Sequence, residues 1–316
     1  MVLKAKILQA LRDAQGYVSG QQLCEQFGVS RTAVWKAVNQ LREMGYEIDS
    51  VPNKGYCIRS APDLLNKNEL ESIRKTTWIG SRLECFDVIG STNTTAMQMA
   101  EDGAPHGTLV VADRQDSGKG RRGRTWIVPA GIAIAMSIVL KPEGLLPEHA
   151  PQLTLVTALA VARAIEQQTG LSVQIKWPND IVIDGKKVCG ILTEMSTQID
   201  YINHIVVGIG INVHNEQFPE ELIDRATSLY LASGGRHYSR AALVEAVCEQ
   251  FEYFYGIFMR TQDMGSLKEV YDDCLVNRGR TVRILDPKGE YEGVALGITP
   301  QGALEVDTAD GRRLVD

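Results

Sequence analysis

Apolar and polar positions alternate with helical spacing in the first part of the chain. Apolar side chains recur every three to four positions in three successive segments, which predicts three short helices. The residues that set this spacing are Leu3, Ile7, Leu8, Leu11, Leu23, Phe27, Val34, Val38 and Leu41. Ser19 and Ser30 precede the second and third segments and are suited to cap them, and Gly28 between them is suited to a sharp turn. This is the spacing of a helix-turn-helix.

The pattern then changes from helical to strand-like. After Gly45, apolar or aromatic residues lie on both sides of Asn53-Lys54-Gly55, which predicts a β-hairpin wing. A winged helix-turn-helix over residues 1–62 is therefore expected. The outward face of its third helix carries side chains that can contact phosphates and base edges in the major groove. These candidate DNA-binding residues are Arg31, Thr32, Trp35, Lys36 and Asn39. The alternative is a small three-helix domain with a solvated polar face.

Short apolar runs and longer helical segments alternate through the rest of the chain. The pattern breaks at Ser60-Ala61-Pro62, where we expect a domain boundary followed by a linking helix over 64–75. Strands are predicted at 83–89, 108–112, 131–140, 173–175, 181–183, 187–194 and 204–213, and helices at 95–101, 153–167 and 241–259. From Gly279 onward, short strands and turns predict a small β-barrel of SH3 type. The fold class is thus α/β (α+β), with a central mixed domain over 63–272 and the barrel over 273–316.

A basic loop separates two of the central strands. Residues 118–124 read G-K-G-R-R-G-R, so three glycines and four cations precede Thr125 and Trp126. Such a segment is ordered most readily around an anion, which predicts a phosphate-binding loop. The letters also fit a dinucleotide fingerprint, but that motif must open a helix, and Pro129 prevents one here. A Walker A loop requires a different order. A solvated basic surface loop remains the alternative.

Composition and charge narrow the class of protein. The chain has 316 residues and a net charge of −6, whereas residues 1–60 contain eight Lys/Arg and five Asp/Glu and carry +3. A polyanion partner would therefore meet the N-terminal module. The six cysteines are scattered and the start lacks the apolar region of a signal peptide, so reduced thiols and a cytoplasmic location are expected. The longest apolar run is shorter than the roughly 18 residues of a membrane span. The five histidines are unclustered, which argues against a structural metal or histidine catalysis.

Three further segments have residue types suited to a binding site. Ser91-Thr92-Asn93 lies at a strand-to-helix junction, where hydroxyl, amide and free N–H groups face outward, although plain helix capping is an alternative. Lys176 lies at a strand end beside Trp177 and Pro178, which suits a rigidly aimed cation, although such a lysine is usually solvent-facing. Gly208 and Gly210 interrupt an apolar strand, which indicates either a closely approaching ligand or a bend in the sheet.

The order of these elements resembles one protein family. A winged helix is followed by S-T-N, Gln115, G-K-G-R-R-G-R, K-W-P-N-D at 176–180, G-I-L-T-E at 190–194, G-I-G-I-N-V at 208–213 and a small barrel. Together these are similar to the bifunctional biotin protein ligases that also repress biotin-synthesis genes. The resemblance implies that biotin and ATP form biotinyl-5′-AMP and that biotin then passes to a lysine of a biotin carboxyl carrier protein. It also implies a homodimer, formed with biotinyl-5′-AMP as corepressor, on operator DNA with two half-sites.

The resemblance also assigns roles to individual residues. It implies biotin binding by Ser91, Thr92, Asn93 and Gln115, and binding of biotin and phosphate by Lys119, Gly120 and Arg121. Lys176 is expected between the biotin carboxylate and the α-phosphate, and Lys176 and Arg121 are the expected catalytic residues. Weaker candidates for contacts to ATP are Arg124, Trp126 and Asn179. Mg²⁺ is expected with ATP, with Asn179 or Asp180 as its contacts, and no resident metal site is expected.

Three departures from the family pattern and two alternatives complete the interpretation. Lys119 stands where the family often has arginine, and a lysine cannot bind phosphate in a bidentate manner. Gly90 replaces the Asp or Ser that commonly precedes S-T-N. The sequence ends at Asp316, where the family usually continues through one more short strand, so we expect the barrel to lack an edge. A lipoate-type protein ligase, or a regulator that binds an effector without catalysis, are the alternative functions.

Overall fold

The N-terminal helices begin and end where caps and glycines lie in the sequence. In the computed structural model, which describes residues 1–14, 16–198, 201–286 and 289–315 apart from the side chain of Arg122, α1 spans Leu3–Asp13, α2 spans Gly20–Phe27 and α3 spans Arg31–Glu43. Ser19 Oγ accepts from the N–H of Gln22 at 3.0 Å, and Gln22 Oε1 accepts from the N–H of Ser19 at 2.9 Å. This capping box fixes the start of α2, and Gly28 ends it in the left-handed conformation at φ 65°.

The predicted wing is a hairpin joined to the helices by backbone hydrogen bonds. Strands β1 (Glu47–Val51) and β2 (Gly55–Ser60) are antiparallel. Val18 and Tyr56 exchange two backbone hydrogen bonds, each of 2.8 Å, so the segment before α2 extends the hairpin. Gly55 has φ 106°, and a Cβ there would lie 2.0 Å from the carbonyl oxygen of Val18. Only glycine allows this close approach, and the predicted winged helix-turn-helix is confirmed.

A linking helix docks on this module through a buried carboxylate. Helix α4 (Lys67–Ile73) places Glu69, 4% exposed, against α1. Glu69 Oε1 accepts from Arg12 Nη2 at 2.6 Å, and its Oε2 accepts from the Tyr46 hydroxyl at 2.5 Å. Burial raises the pKa of the Tyr46 hydroxyl, and the hydrogen bond to Glu69 raises it further. The tyrosine therefore stays a neutral donor to Glu69.

Replacing Glu69 with alanine is expected to lower the free energy of unfolding by about 3 kcal/mol, since it leaves a partly buried arginine and a buried hydroxyl without their acceptor. Chemical denaturation of the whole chain measures this loss. Glu71→Ala on the same helix removes a more exposed carboxylate that accepts from the N–H of Val2. We expect that control to change stability by less than about 0.5 kcal/mol. Equal losses in the two variants would contradict a special role for Glu69.

The central domain is built on one seven-stranded mixed sheet. The strands are β3 (Leu83–Ile89), β4 (Leu109–Gln115), β5 (Ala133–Leu140), β6 (Gln174–Lys176), β7 (Asp180–Ile183), β8 (Lys186–Gln198) and β9 (Tyr201–Asn212). Their order in the sheet is β3-β4-β5-β9-β8-β7-β6. Only the β3–β4 pair is parallel among these neighbours, because α5 (Thr92–Glu101) connects the two strands. The predicted antiparallel run from β6 to β8 is confirmed.

Helices pack against both faces of this sheet. On the first face, α6 (Leu153–Thr169) and α8 (Arg240–Thr261) pack against inward-facing residues of the strands in one large apolar core. On the second face, α5 packs Ala96 and Ala100 against Val110, Val139 and Val206. The short α7 (Leu229–Ala232) follows the sheet in sequence. The part of the second face over β8 and β9 is left for the site described below.

The C-terminal unit is a small antiparallel β structure anchored to the central domain. Helix α9 (Lys268–Cys274) precedes strands β10 (Thr281–Ile284), β11 (Tyr291–Ile298), β12 (Leu304–Thr308) and β13 (Gly311–Val315), which pair in that order. Buried Asp272 of α9 accepts from the N–H of Ile298 at 2.8 Å. Trp177 Nε1 donates to the carbonyl oxygen of Gly302 at 3.1 Å, so the K-W-P-N-D segment contacts this unit. The predicted fold class is confirmed. No helix of the described residues is long and apolar enough to cross a membrane.

Candidate active site

A cavity opens over β8 and β9, beside the first turn of α5. Most of the segments selected from the sequence meet in its wall. These are Ser91, Thr92, Asn93, Gln115, Lys119, Gly120, Arg121, Trp126, Asn179, Gly208 and Gly210. Lys187, which the sequence analysis did not select, also lies in the wall. Lys176 and Arg124 are exposed and do not line the cavity.

The S-T-N triplet caps α5 and lines the cavity at the same time. Ser91 is the N-cap residue, and its side chain accepts from the N–H of Thr94 at 3.5 Å. The N–H and hydroxyl of Thr92 donate to Gln115 Oε1 at 2.7 and 3.0 Å. Gln115 ends β4, so this pair ties the helix to the strand. Capping and cavity lining, treated above as alternatives, therefore coexist.

Asn93 is a buried structural bridge beneath the cavity. Its Nδ2 donates to the carbonyl oxygen of Leu192 at 3.1 Å and to Glu194 Oε2 at 2.8 Å. Its Oδ1 accepts from the Ser137 hydroxyl at 2.6 Å. Because both ends of the amide are held, the side chain cannot rotate without breaking hydrogen bonds. Asn93 thus joins α5 to β5 and β8.

The glycine-arginine loop forms a narrow hairpin with its own backbone hydrogen bonds. The N–H of Trp126 donates to the carbonyl oxygen of Gly118 at 2.9 Å, and the N–H of Gly120 donates to the carbonyl oxygen of Arg124 at 2.7 Å. A 3-10 turn over Arg121–Gly123 closes the tip. Arg121 Nη1 reaches across the cavity and donates to Asn179 Oδ1 at 3.1 Å. The loop is therefore shaped by backbone pairing, with cations at its tip.

The two glycines of β9 make room for side chains of the same chain. A Cβ on Gly208 would lie 2.0 Å from Asn93 Oδ1, and a Cβ on Gly210 would lie 2.3 Å from Trp126 Nε1. The indole of Trp126 thus lies directly on the strand, and its Nε1 is buried without a hydrogen-bond partner among the described residues. Close approach explains both glycines, with Asn93 and Trp126 as the approaching groups.

Lys187 lies in the cavity wall, whereas Lys176 is not among the residues that line it. Lys187 Nζ lies 2.6 Å from Asp180 Oδ1 and 5.5 Å from the centroid of the Trp126 ring, facing the cavity. Lys176 ends β6, the edge strand of the sheet, where its Cα is paired with that of Asp180. Cross-strand partners point to the same face of a sheet, so Lys176 lies on the face of Asp180, with an exposed side chain. The structure therefore does not bring Lys176 together with the other candidates.

The charges around the cavity favour an anionic ligand. Lys119, Arg121 and Lys187 contribute three cations to its wall. Asp180 is paired with Lys187, and Glu194 accepts from Asn93. Burial raises the pKa of the Cys189 thiol behind the wall, so this cysteine stays protonated and is no nucleophile. The described residues contain no group of three or more His, Cys, Asp or Glu that could hold a metal ion.

The DNA-binding candidates lie on one surface of α3, with one exception. Arg31, Thr32, Trp35 and Lys36 are exposed, and 55% of the Trp35 surface is accessible. Arg31 Nη2 donates to Gln21 Oε1 of α2 at 3.0 Å, which aims the guanidinium along the helix pair. Asn39 is half-buried, and its Oδ1 accepts from Arg42 Nη1 at 3.3 Å. Its side chain is therefore less available for contacts outside the protein than the sequence spacing predicts.

Comparisons with known proteins agree with this architecture. Residues 4–57 match the family model of the HTH domain, 85–212 that of the biotin/lipoate A/B protein ligase family, and 279–316 that of the biotin protein ligase C-terminal domain. The bifunctional ligase/repressor BirA of Bacillus spizizenii is 42% identical over 297 residues, covering 93% of this chain and 90% of the relative. The chain belongs to the BirA family of bifunctional ligase/repressors.

Two further relatives extend the comparison within this family. The bifunctional ligase/repressor BirA of Escherichia coli is 28% identical over 301 residues, which cover 95% of this chain and 90% of the relative. The solved structure of biotin protein ligase from Aquifex aeolicus in complex with biotin and ATP is 31% identical, with a TM-score of 0.65. The matched region covers 74% of this chain and 95% of the Aquifex aeolicus chain.

Sequence reasoning missed three site residues of this family member. Lys187 faces the cavity, Ser137 supports Thr92 and Asn93 from below, and Glu194 holds the Asn93 amide. A signal existed for Lys187, because it precedes the G-I-L-T-E segment on the same strand by only a few residues. Ser137 lies in an apolar run of β5, where a lone serine gave no indication of a partner.

Proposed function

We propose that this chain is a biotin protein ligase and a biotin-responsive transcriptional repressor. As a ligase it joins biotin to ATP as biotinyl-5′-AMP and then transfers biotin to a lysine of a biotin carboxyl carrier protein. The observation that carries this proposal is the convergence of three cations, Lys119, Arg121 and Lys187, on a cavity lined by the S-T-N triplet. The winged helix on the same chain supports the second role.

The polar end of the cavity suits the ring of biotin. Ser91 and Thr92 offer hydroxyl groups there, and Gln115 offers an amide whose oxygen is held by Thr92. Asn93 has both ends of its amide engaged, so its role is to hold the walls together. Trp126, which lies on Gly210, supplies a flat apolar surface for the rest of the ligand. A nearly neutral bicyclic ligand with a urea group fits this combination.

The cations make the first chemical step possible. A biotin carboxylate oxygen attacks the α-phosphorus of ATP, a mixed anhydride forms, and the bond to pyrophosphate breaks. Lys187 and Arg121 cancel the repulsion between the two anions and stabilise the charge on the departing pyrophosphate. Asp180 and Asn179 fix these cations at 2.6 and 3.1 Å, respectively. No general base is required, because the carboxylate is already ionised.

Magnesium fits this site only together with the nucleotide. Of the two candidate contacts, Asn179 Oδ1 accepts from Arg121 and Asp180 Oδ1 pairs with Lys187. Mg²⁺ is usually held by one or two carboxylates, waters and substrate phosphates, and Asp180 has a second oxygen for that purpose. When bound, the ion would neutralise part of the phosphate charge. Trp126 and Asn179 stay candidates for contacts to ATP, whereas Arg124 is not among the residues that line the cavity.

The repressor role requires a homodimer on operator DNA, and an exposed strand edge supports it. Strand β7 pairs with β8 only as far as Gly190, so residues 192–198 of β8 have a neighbour on one side alone among the described strands. An unpaired edge can join the same edge of a second copy around a two-fold axis. We propose this edge as the dimer contact. We also propose that the three domains span residues 1–62, 63–272 and 273–316.

The decisive assay is the exchange of labelled pyrophosphate into ATP. Exchange that depends on biotin supports the proposed ligase. Exchange with lipoate and none with biotin would move the chain to the lipoate-type ligases. Operator binding that responds to biotin without any exchange would make it a regulator without catalysis.

Replacing Arg31 or Lys36 with alanine is expected to weaken operator binding about tenfold at fixed salt, because each removes a cation from the exposed face of α3. Fluorescence anisotropy with labelled operator measures the affinity. Lys6→Ala, which removes an exposed cation from α1 instead, is the control and should bind as the unmodified protein does. Pyrophosphate exchange should stay unchanged in all three variants. Loss of exchange in Arg31→Ala or Lys36→Ala would contradict the separation of the two activities.

A further inference from the structure

A buried ion cluster lies outside the cavity, where the first part of the chain enters the central domain. Its centre is Arg240, the first residue of α8, which is 2% exposed. The guanidinium donates from Nε to Asp63 Oδ2 at 2.7 Å and from Nη1 to Asp113 Oδ1 at 2.6 Å. One cation thus joins two carboxylates that are 50 positions apart in the sequence.

The contact between Asp63 and Arg240 holds the segment that leads out of the winged helix. Asp63 follows β2, which ends at Ser60, and precedes α4. Besides the bond to Nε, Asp63 Oδ1 accepts from the N–H of Arg240 at 2.8 Å, and its carbonyl oxygen accepts from Nη2 at 3.0 Å. This aspartate is therefore fixed by three hydrogen bonds to one residue of the central domain.

The contact between Asp113 and Arg240 holds both ends of the glycine-arginine loop. Asp113 lies on β4, two residues before Gln115, and its Oδ2 accepts from the N–H of Gly131 at 3.1 Å. Arg240 Nη1 also donates to the carbonyl oxygen of Ala133, the first residue of β5, at 3.2 Å. The loop begins after β4 and ends before β5. Its two roots are thus joined through Asp113 and Arg240.

The end of β9 reaches the same cluster. His214 Nδ1 lies 3.6 Å from Asp63 Oδ2, and the N–H of His214 donates to the carbonyl oxygen of Ile132 at 2.7 Å. Burial lowers the pKa of His214, and the nearby Asp63 opposes that shift. His214 follows the G-I-G-I-N-V strand that floors the cavity. Three elements beside the cavity, β4, the start of β5 and the end of β9, therefore contact Arg240 or its partners.

Stability alone does not account for such an arrangement. Replacing a buried ion pair with apolar residues of similar size is often neutral or stabilising, so a buried arginine between two carboxylates is weak evidence for a role in stability. What the cluster provides is geometry, because a displacement of either loop root changes the distances to Arg240 and hence to Asp63.

We propose that Asp63, Arg240 and Asp113 form the link through which occupancy of the cavity changes the placement of the winged helix. Arg240 is a positioning residue in this scheme and touches no substrate. When ligand binding moves the roots of the loop, Asp113 and Ala133 shift Arg240, and Arg240 shifts the linker at Asp63. The inference rests on the proposed function, since it assumes that biotin and ATP promote operator binding.

The test uses the full-length protein with Asp63→Asn, which removes one charge from the linker and keeps the Arg240–Asp113 pair. The probe is a DNA duplex selected from random sequences for binding to the unmodified protein with biotin and ATP. The measured quantity is the ratio of operator affinities with and without biotin plus ATP. We expect Asp63→Asn to lower this ratio at least fivefold, on the scale of a typical coupling between sites, while biotin-dependent pyrophosphate exchange stays within about threefold.

Two companion variants separate coupling from folding. Asp113→Asn weakens the contact between Arg240 and β4 and should lower the same ratio of operator affinities. Because it loosens the two ends of the loop, it should also raise the KM for biotin, with kcat little changed. Glu71→Gln, on the linking helix but away from the cluster, should keep the ratio of the unmodified protein.

Three results would overturn the proposal. One is an unchanged ratio in Asp63→Asn. Another is a fall in pyrophosphate exchange in Asp63→Asn that is as large as the fall in its ratio of operator affinities. That result would mean that Asp63 only maintains the fold. A ratio of one in the unmodified protein would overturn the proposed function itself, so the two failures are distinguishable.

Discussion

Replacing Lys187 with alanine is expected to lower biotin-dependent pyrophosphate exchange by about 10² to 10³, the scale of losing one preorganised charge stabiliser. The reason is geometric. The ammonium group is held 2.6 Å from Asp180 and faces the cavity beside Arg121, where two anions must approach each other. The exchange rate at saturating ATP and biotin measures the effect.

Lys176→Ala is the matched control for Lys187→Ala. It removes the same charge from the same sheet, but from an exposed position on the edge strand β6. We expect its exchange rate to fall less than tenfold. Lys187→Arg should restore part of the activity, because it returns the charge with a different hydrogen-bond geometry. A large effect of Lys176→Ala with a small effect of Lys187→Ala would restore the assignment made from the sequence.

The winged helix could be predicted almost completely, because its determinants are local. Ser19, Ser30 and Gly28 cap or end helices within a few residues of themselves, and the turn at Gly55 is encoded where it occurs. The exception is Asn39. Its helical position faces outward, yet Arg42 from the next turn donates to its side chain, and spacing alone does not reveal such a neighbour.

The place of Lys187 in the cavity wall depended on information that no local pattern contains. Side chains on a strand alternate between faces, so either lysine of the Lys186-Lys187 pair could face the cavity. A β-bulge between Ile181 and Val182 then shifts the register of β7 against β8, pairing Val182 with Lys187 and Asp180 with Gly190. The position of Lys187 follows from this shift, and the position of Lys176 follows from the order of strands in the sheet.

The glycines of β9 could be interpreted only in part from the sequence. Their presence inside an apolar strand correctly indicated that something approaches the backbone closely. The approaching groups are Asn93, from a helix more than 100 residues earlier, and Trp126, from the basic loop. Both contacts are long-range, so only the folded chain identifies them.

Gly208→Ala is expected to destabilise the protein by about 2–4 kcal/mol and to abolish most biotin-dependent exchange. The added methyl group would lie 2.0 Å from Asn93 Oδ1 and 2.9 Å from Asn93 Nδ2. Asn93 has no room to yield, because its amide is hydrogen-bonded to Leu192, Glu194 and Ser137. Displacing it moves Thr92 and the start of α5, and with them one wall of the cavity. Denaturant titration measures the stability, and pyrophosphate exchange measures the site.

The same substitution at Gly256 provides the control for Gly208→Ala. Gly256 lies within α8, and no atom lies within 4 Å of a Cβ built there. Alanine in a helix interior is more favourable than glycine by about 0.5–1 kcal/mol, so Gly256→Ala should stabilise the protein slightly and leave exchange unchanged. The two variants add the same methyl group, one against the Asn93 amide and one in open space. If Gly208→Ala were as stable and as active as Gly256→Ala, Asn93 could not be the rigid bridge that holds the wall of the cavity.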